Sequence, residues 1–220
     1  MIERILLLGG TGRTGQLVID EALQRGLQVV ALVRRPEALT QTNPHLTVVA
    51  GNPSSASDVA NAMKGCDAVI SALNNNRVSD APWAKPVSPP GFMAGVMRNV
   101  LTAAHAQGVR RVVLMSAAGA GDSLGDMPWI MRWLVRKTNL SHTYRDHDEQ
   151  EALLMASGLE WTILRPVGLH DGAPRGALVF SVHQQPKSGM RIARRSVARQ
   201  LVACLDDHAS IATAPVLSER

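Results

Sequence analysis

The sequence predicts an α/β protein whose parallel sheet is covered by helices on both faces. Short apolar runs alternate with segments of helical periodicity along most of the chain, which is the pattern of a doubly wound sheet. The runs are almost continuously apolar, as expected of strands buried on both faces. Hydrophobic residues make up 45% of the chain and aromatic residues only 3%, so we expect an aliphatic core.

Six apolar runs are predicted as strands and the periodic segments between them as helices. The strands are 5–8, 29–33, 46–50, 68–73, 112–115 and 161–164. The helices are 13–25, 58–64, 93–107, 128–136 and 146–156. Ser57 is expected to cap the second helix, and a glycine follows four of the five helices as a stop signal.

The connections between these elements determine the order of the strands. Because crossovers between parallel strands are right-handed, the predicted order is 3-2-1-4-5-6. After the sixth strand the chain is short and irregular, with one further strand over 177–182 and a final helix from Ser196. We therefore predict a single domain over 1–220 with a small C-terminal extension, in which 167–195 form a small lobe on the substrate side.

A glycine-rich turn joins the first strand to the first helix, which is where Rossmann-like folds bind the phosphates of a dinucleotide. Gly9 permits a tight turn, Gly12 lets the backbone approach the diphosphate, and Gly15 lets the helix pack closely. The helix N-terminus adds N–H groups and a partial positive charge. The predicted phosphate-binding residues are Gly9, Thr11, Gly12, Arg13, Thr14 and Gly15.

The end of the second strand predicts which dinucleotide is bound. NAD-specific proteins usually carry Asp or Glu about 20 residues after the turn, where the carboxylate accepts the ribose hydroxyls. Here Arg34 and Arg35 occupy that place, and Arg34 can pair with a 2′-phosphate. This pattern favours NADP(H) over NAD(H); the alternative is that Arg34 is a solvated surface side chain.

Four features together resemble the atypical short-chain dehydrogenases, the NAD(P)H-binding or NmrA-like group, closest to the biliverdin reductase B/flavin reductase type. They are the glycine turn, the Val33-Arg34 strand end, Ser116 after the fifth strand, and the segment SGLEWTILRP at 157–166. The resemblance implies further cofactor contacts at strand ends: Asn52, Pro53, Ala72, Leu73, Asn74, Met115, Ser116, Pro166 and Val167. Asn52-Pro53 stand where relatives usually have Gly-Asp-Val.

The catalytic residues of typical short-chain dehydrogenases are only partly present. Those enzymes use Ser, Tyr and a Lys four residues after the Tyr, but the only tyrosine here, Tyr144, is followed at that spacing by Asp148. The resemblance places His147 where the Lys usually stands, and His147 could bind the nicotinamide ribose or donate a proton near neutral pH. Ser116 could orient a substrate carbonyl or the cofactor. The structural alternatives are a capping or exposed histidine and a strand-end serine.

The missing Tyr–Lys pair favours hydride transfer to a delocalised acceptor, because solvent can then supply the proton. We therefore expect an NADPH-dependent reductase of a flavin, quinone or tetrapyrrole, with Trp83, Trp129 and the loop 77–91 as an apolar wall or lid. The rival is a non-catalytic NADP(H)-binding redox sensor. A third option is an epimerase, which the short region after Pro166 disfavours.

Composition and spacing argue against other classes of function. Cys66 and Cys204 lie too far apart for a metal or disulfide motif, and His142, His147 and His170 have no metal-ligand spacing, so no metal is predicted. The net charge is +5, but the basic residues are scattered, so no nucleic-acid partner is expected. Without an apolar run of ~20 residues or a signal peptide, we expect a cytoplasmic protein with no membrane partner. A monomer is expected, with a weak dimer as the alternative.

Overall fold

The computed structural model describes residues 1–75, 78, 79, 81 and 83–220. Its strands are β1 (Arg4–Leu8), β2 (Gln28–Val33), β3 (Leu46–Ala50), β4 (Ala68–Ser71), β5 (Arg111–Met115), β6 (Glu160–Pro166), β7 (Gly168–His170), β8 (Leu178–Ser181), β9 (Arg191–Ala193) and β10 (Val216–Glu219). Its α-helices are α1 (Arg13–Gln24), α2 (Ala56–Met63), α3 (Phe92–Gln107), α4 (Trp129–Lys137), α5 (Leu140–Met155) and α6 (Arg194–Ala203).

The main sheet has eight strands in the order β3-β2-β1-β4-β5-β6-β10-β8. The predicted order of the first six strands is confirmed, and all five pairings among them are parallel. Side chains alternate across each strand, so Ile5 and Leu7 of β1 face one core and Leu6 and Leu8 face the other. The helices α1 and α6 cover the first core, and α2, α3 and α5 cover the second.

Four helices begin earlier than the sequence predicts, and two of them, α3 at Phe92 and α6 at Arg194, do so by only one or two residues. The helix predicted over 58–64 begins at Ala56, because Ser55 rather than Ser57 caps it by accepting the backbone N–H of Asp58 at 3.3 Å. The helix predicted over 146–156 begins at Leu140. Its first turns carry polar residues without an apolar stripe, and they are held by packing against α3 and α4.

The C-terminal region is more regular than predicted. β10, which the sequence did not predict, runs parallel to β6, and β8 pairs with β10 in the antiparallel sense at the sheet edge. β7 and β9 form a separate two-stranded parallel sheet, so His170 lies in a strand of the region predicted to be irregular. The strand predicted over 177–182 is observed as β8, whereas β7, β9 and β10, of three or four residues each, are too short for a clear apolar pattern. The assignment of 167–195 to the substrate side stays a prediction.

No helix in the described part of the chain is both long enough and apolar enough to cross a lipid bilayer.

Candidate cofactor and active site

The glycine turn is packed so tightly that a side chain cannot replace Gly9 or Gly15 without displacing backbone. Gly9 has a φ of +83°, and a Cβ there would lie 2.7 Å from the carbonyl of Ala72 at the end of β4. A Cβ on Gly15 would lie 2.0 Å from the carbonyl oxygen of Gly9. Gly12 is the N-cap of α1 and has no side chain to cap it. The turn therefore presents backbone at a helix N-terminus, which is the arrangement that binds a diphosphate.

The other predicted cofactor residues lie where neighbouring parallel strands end. Hydrogen bonds join these ends: the Ala72 N–H donates to Leu8 at 2.9 Å, and the Ser116 N–H donates to Leu164 at 2.8 Å. The register of β4 with β1 and β5 places Leu73 and Asn74 beside the glycine turn, and Pro166 and Val167 follow the same edge. The structure thus brings the predicted set to one edge of the sheet, where ligands of such folds bind.

The loop after β3 differs from the family pattern and is held by a neighbouring carboxylate. Asn52 donates its backbone N–H to Asp58 at 2.8 Å, and its side-chain oxygen accepts the N–H of Ser54 at 3.1 Å. The Asn52 contact is the main cause of a lowered pKa for Asp58, followed by the hydrogen bond from Ser55. Asn52 therefore shapes its own loop, and its predicted contact with the adenine stays a prediction.

Three of the predicted cofactor residues are arginines. Arg34 and Arg35 are exposed after β2 and form no ion pair with any residue in the described part of the chain. Arg13 lies 3.6 Å from Asp171, which also accepts a 2.6 Å hydrogen bond from Arg194. Asp171 thus links the glycine turn to the start of α6.

Ser116 and His147 meet next to the end of β5. The Ser116 hydroxyl lies 3.3 Å from Nδ1 of His147, and the side-chain amide of Gln150 donates to the same nitrogen at 2.9 Å. Nδ1 is therefore an acceptor, which leaves the ring hydrogen on Nε2. Burial lowers the pKa of His147 to about 4, against a smaller opposing effect of Asp146. His147 is thus neutral at pH 7, which fits hydrogen bonding better than proton donation.

Asp146 fixes the position of this part of α5. Its carboxylate is buried and accepts the backbone N–H groups of Met93 and Ala94, each at 2.9 Å, in the first turn of α3. It also accepts the side-chain amide of Asn75 at 2.9 Å. A carboxylate at a helix N-terminus is favoured by both hydrogen bonding and the helix dipole. Neither Asn75 nor Gln150 belongs to a sequence motif, so their roles here are not predictable from the sequence.

Tyr144 lies beside the Ser116–His147 pair and has a structural role. Its hydroxyl donates to the Ala118 carbonyl at 3.0 Å, and its ring meets the His147 ring edge-on, with centroids 6.2 Å apart. Asp148, which stands at the spacing of the usual Lys, accepts the backbone N–H of Gly121 at 2.7 Å. Both residues therefore hold the loop that follows β5.

Arg165, from the segment SGLEWTILRP, is a buried structural residue. Its guanidinium donates to Glu151 at 2.7 Å and to Asp122 at 2.6 Å. These side chains border a cavity of about 500 Å³ that contains none of the predicted cofactor residues. The glycine turn and the Ser116–His147 pair therefore lie apart from the lining of this cavity.

The remaining predictions concern the apolar wall or lid, the two cysteines and the absence of a metal. Trp83 and Trp129 are more than two-thirds exposed, and the Trp83 carbonyl accepts a 2.8 Å hydrogen bond from Asn139. Residues 77, 80 and 82 of the predicted lid 77–91 lie outside the described residues. Cys66 and Cys204 are buried free thiols, and burial raises the pKa of Cys66 to about 11. The described part of the chain holds no cluster of three or more His, Cys, Asp or Glu residues suited to a metal.

Comparison with known proteins identifies the family. The family model described as NAD(P)H-binding matches residues 9–208, so the chain belongs to that family and its cofactor is a nicotinamide dinucleotide. The resemblance to atypical short-chain dehydrogenases is thereby confirmed. An uncharacterized chloroplastic protein of Arabidopsis thaliana, At2g37660, is 28% identical over 91% of this chain. The chain spans only 65% of that relative's length.

Solved structures show the same fold at low sequence identity. ChuY, an anaerobillin reductase from Escherichia coli O157:H7, aligns with a TM-score of 0.80 at 24% identity, covering 98% of this chain and 97% of its own. A wide-type short-chain dehydrogenase/reductase from Veillonella parvula, solved with NADP, aligns with a TM-score of 0.77 at 18% identity, covering 100% and 95%. At these identities the likeness establishes the fold.

Proposed function

We propose that the protein is an NADPH-dependent reductase that transfers hydride to a planar acceptor such as a flavin, a quinone or a tetrapyrrole. The observation that carries the proposal is the Ser116–His147 pair: a hydroxyl and a buried neutral imidazole stand beside the edge that holds the glycine turn. This pair can orient groups by hydrogen bonding but has no strong acid. Such a site suits an acceptor whose ring system takes the electrons while solvent supplies the proton.

The residues fit the cofactor at its phosphate end. Gly9, Gly12 and Gly15 form a backbone cradle that a Cβ would fill, at the N-terminus of α1. We assign Arg34, with Arg35 beside it, to the 2′-phosphate, since both are exposed where NAD-specific proteins carry an acid. The structural neighbour solved with NADP is in line with this assignment.

At the other end, the neutral His147 would donate its Nε2 hydrogen to the nicotinamide ribose, and Ser116 would orient the acceptor or the nicotinamide amide. When bound, NADPH supplies the hydride, and the acceptor is reduced by that hydride and one proton from water. Gln150 keeps the required tautomer of His147 by donating to Nδ1. Asp146 holds the helix in register with α3. ChuY is named as a reductase, which also favours hydride transfer over epimerisation.

The test is a fluorescence titration with NADPH and with NADH, followed by NADPH consumption with a flavin, a quinone and biliverdin. We expect tighter binding of NADPH and turnover with at least one acceptor. Tight binding of both oxidised and reduced cofactor without turnover would instead support the redox sensor. No binding of either dinucleotide would refute the site built on the glycine turn.

A further inference from the structure

The helix α4 carries its largest apolar side chains on its solvent side. Trp129, Ile130 and Trp133 expose 72%, 52% and 54% of their surface, whereas Val135 is buried on the other side of the helix. The two tryptophans are four residues apart and therefore lie on one face, one turn after the other. Exposed large aromatic residues gathered on one face mark an interaction surface.

The same face is basic. Arg136 and Lys137 are exposed and follow Trp133 by three and four residues, so they extend the tryptophan face toward the end of the helix. α4 contains no Asp or Glu, and neither cation forms an ion pair with an acidic residue in the described ranges. We call Trp129, Ile130, Trp133, Arg136 and Lys137 the α4 face.

We infer that the α4 face docks on the surface of an anionic lipid bilayer, with the helix lying in the plane of the interface. Tryptophan favours the headgroup level of a membrane, where its ring is buried and its N–H stays hydrated. Arginine and lysine beside it are attracted to anionic headgroups. A short amphipathic helix with this composition lies on a membrane rather than across it. Nine residues of helix rise about 14 Å, which is too short to span.

Other occupants fit the α4 face less well. A two-fold contact between copies would present the face to itself, and α4 offers no carboxylate to neutralise the facing cations. Two cavities of the described structure, of about 500 Å³ and 330 Å³, include no residue of α4, so the tryptophans line neither of them. The sequence points to Trp129 only as part of an apolar wall or lid, because a helical pattern alone does not reveal which face is exposed. The inference does not depend on the proposed reductase activity.

The experiment is co-sedimentation of the full chain with vesicles of phosphatidylcholine alone and of phosphatidylcholine with phosphatidylglycerol. We expect binding only to the anionic vesicles, with a blue shift of tryptophan emission. Removing both cations in R136Q/K137Q should weaken binding roughly 30-fold, given the usual contribution of one basic residue near such a surface. W129A/W133A should weaken it by ~10-fold or more, since the apolar contact is lost.

Matched controls distinguish docking through the α4 face from nonspecific binding caused by net charge or by exposed apolar residues elsewhere. K64Q/R195Q removes the same charge from exposed residues elsewhere, and Phe180→Ala removes a half-exposed aromatic ring from β8. Both controls should bind anionic vesicles like the unchanged protein. The inference is overturned if the unchanged protein does not bind anionic vesicles or if the controls lose as much binding as the α4 variants. It is also overturned if W129A/W133A alters only the oligomeric state in gel filtration, or only the KM for a small acceptor in the absence of lipid.

Discussion

The glycine turn and the Ser116–His147 pair lie at the same edge of the sheet but are built in different ways. The turn is made of backbone within seven consecutive residues, and its closest constraint joins Gly15 to the Gly9 carbonyl. The pair is made of one side chain directly after β5 and one from α5, 31 residues apart, and depends on Asp146, which binds α3 some 52 residues away. One end of the site is specified locally, and the other by tertiary packing.

This difference has energetic consequences. The hydrogen-bonded backbone of the turn has no titratable group. A steric change, such as an added side chain, is therefore what can disrupt it. The pair consists of a buried imidazole, a hydroxyl and an amide, so protonation and loss of single hydrogen bonds can break it without any clash. Changes at the two ends should therefore give different signatures.

The largest effect is expected for Gly15→Ala. The added Cβ would lie 2.0 Å from the Gly9 carbonyl oxygen, and a backbone group cannot rotate aside as a flexible side chain can. We expect a loss of about 3 kcal/mol or more in unfolding free energy or in NADPH binding, as in overpacked interiors. Thermal unfolding and NADPH titration on the same sample measure the two contributions.

Gly95→Ala is the matched control for this substitution. Gly95 lies inside α3, and nothing stands within 4 Å of the position of its Cβ. Alanine in a helix interior should stabilise the protein by roughly 0.5–1 kcal/mol relative to glycine. Equal tolerance of both substitutions would contradict the packing described for the turn.

The same contrast explains what the sequence could predict. The turn was found because its geometry demands one residue type at fixed spacing between a strand and a helix. The partnership of Asp146 with the first turn of α3 has no local signature, since its two sides are 53 residues apart. The short strand β10 was missed for a related reason: its place is set by pairing with β6 and β8, not by its own pattern.

A pH-dependent effect is expected at the side-chain end. Folding lowers the pKa of His147 from 6.5 to about 4, so the unfolded chain binds a proton more readily. With respect to this group, the free energy of unfolding is therefore highest above pH 6.5 and decreases as the pH falls from 6.5 toward 4. Over this window the protein should lose about 3 kcal/mol that His147→Gln does not lose. Urea unfolding of both proteins at the two pH values measures the difference.

His142→Gln is the control for that experiment, because His142 is an exposed histidine on the same helix. This variant should keep the pH dependence of the unchanged protein. If His147→Gln keeps it as well, other groups cause the acid sensitivity and His147 is not a buried neutral imidazole.

A smaller effect, on cofactor binding, is expected for Arg34, a side chain at the phosphate end of the site. Arg34→Ala should weaken NADPH binding roughly 10- to 100-fold, the usual range for a lost charge-assisted hydrogen bond, and leave NADH binding unchanged. Arg175→Ala removes an exposed arginine after β7 and should affect neither cofactor. Equal weakening of NADPH and NADH by Arg34→Ala would show that Arg34 does not read the 2′-phosphate.

The smallest effect is expected for Ser116→Ala. The Ser116 hydroxyl lies 3.3 Å from His147, farther than the 2.9 Å of Gln150, so the imidazole keeps its better partner when the hydroxyl is removed. We expect a loss of about 1 kcal/mol, seen as a several-fold fall in kcat/KM with unchanged NADPH affinity. Ser71→Ala removes another buried serine, at the end of β4, and should leave kcat/KM unchanged. If the two variants behave alike, Ser116 serves only the packing of its strand end, and the chemistry at this edge rests on His147 and the cofactor alone.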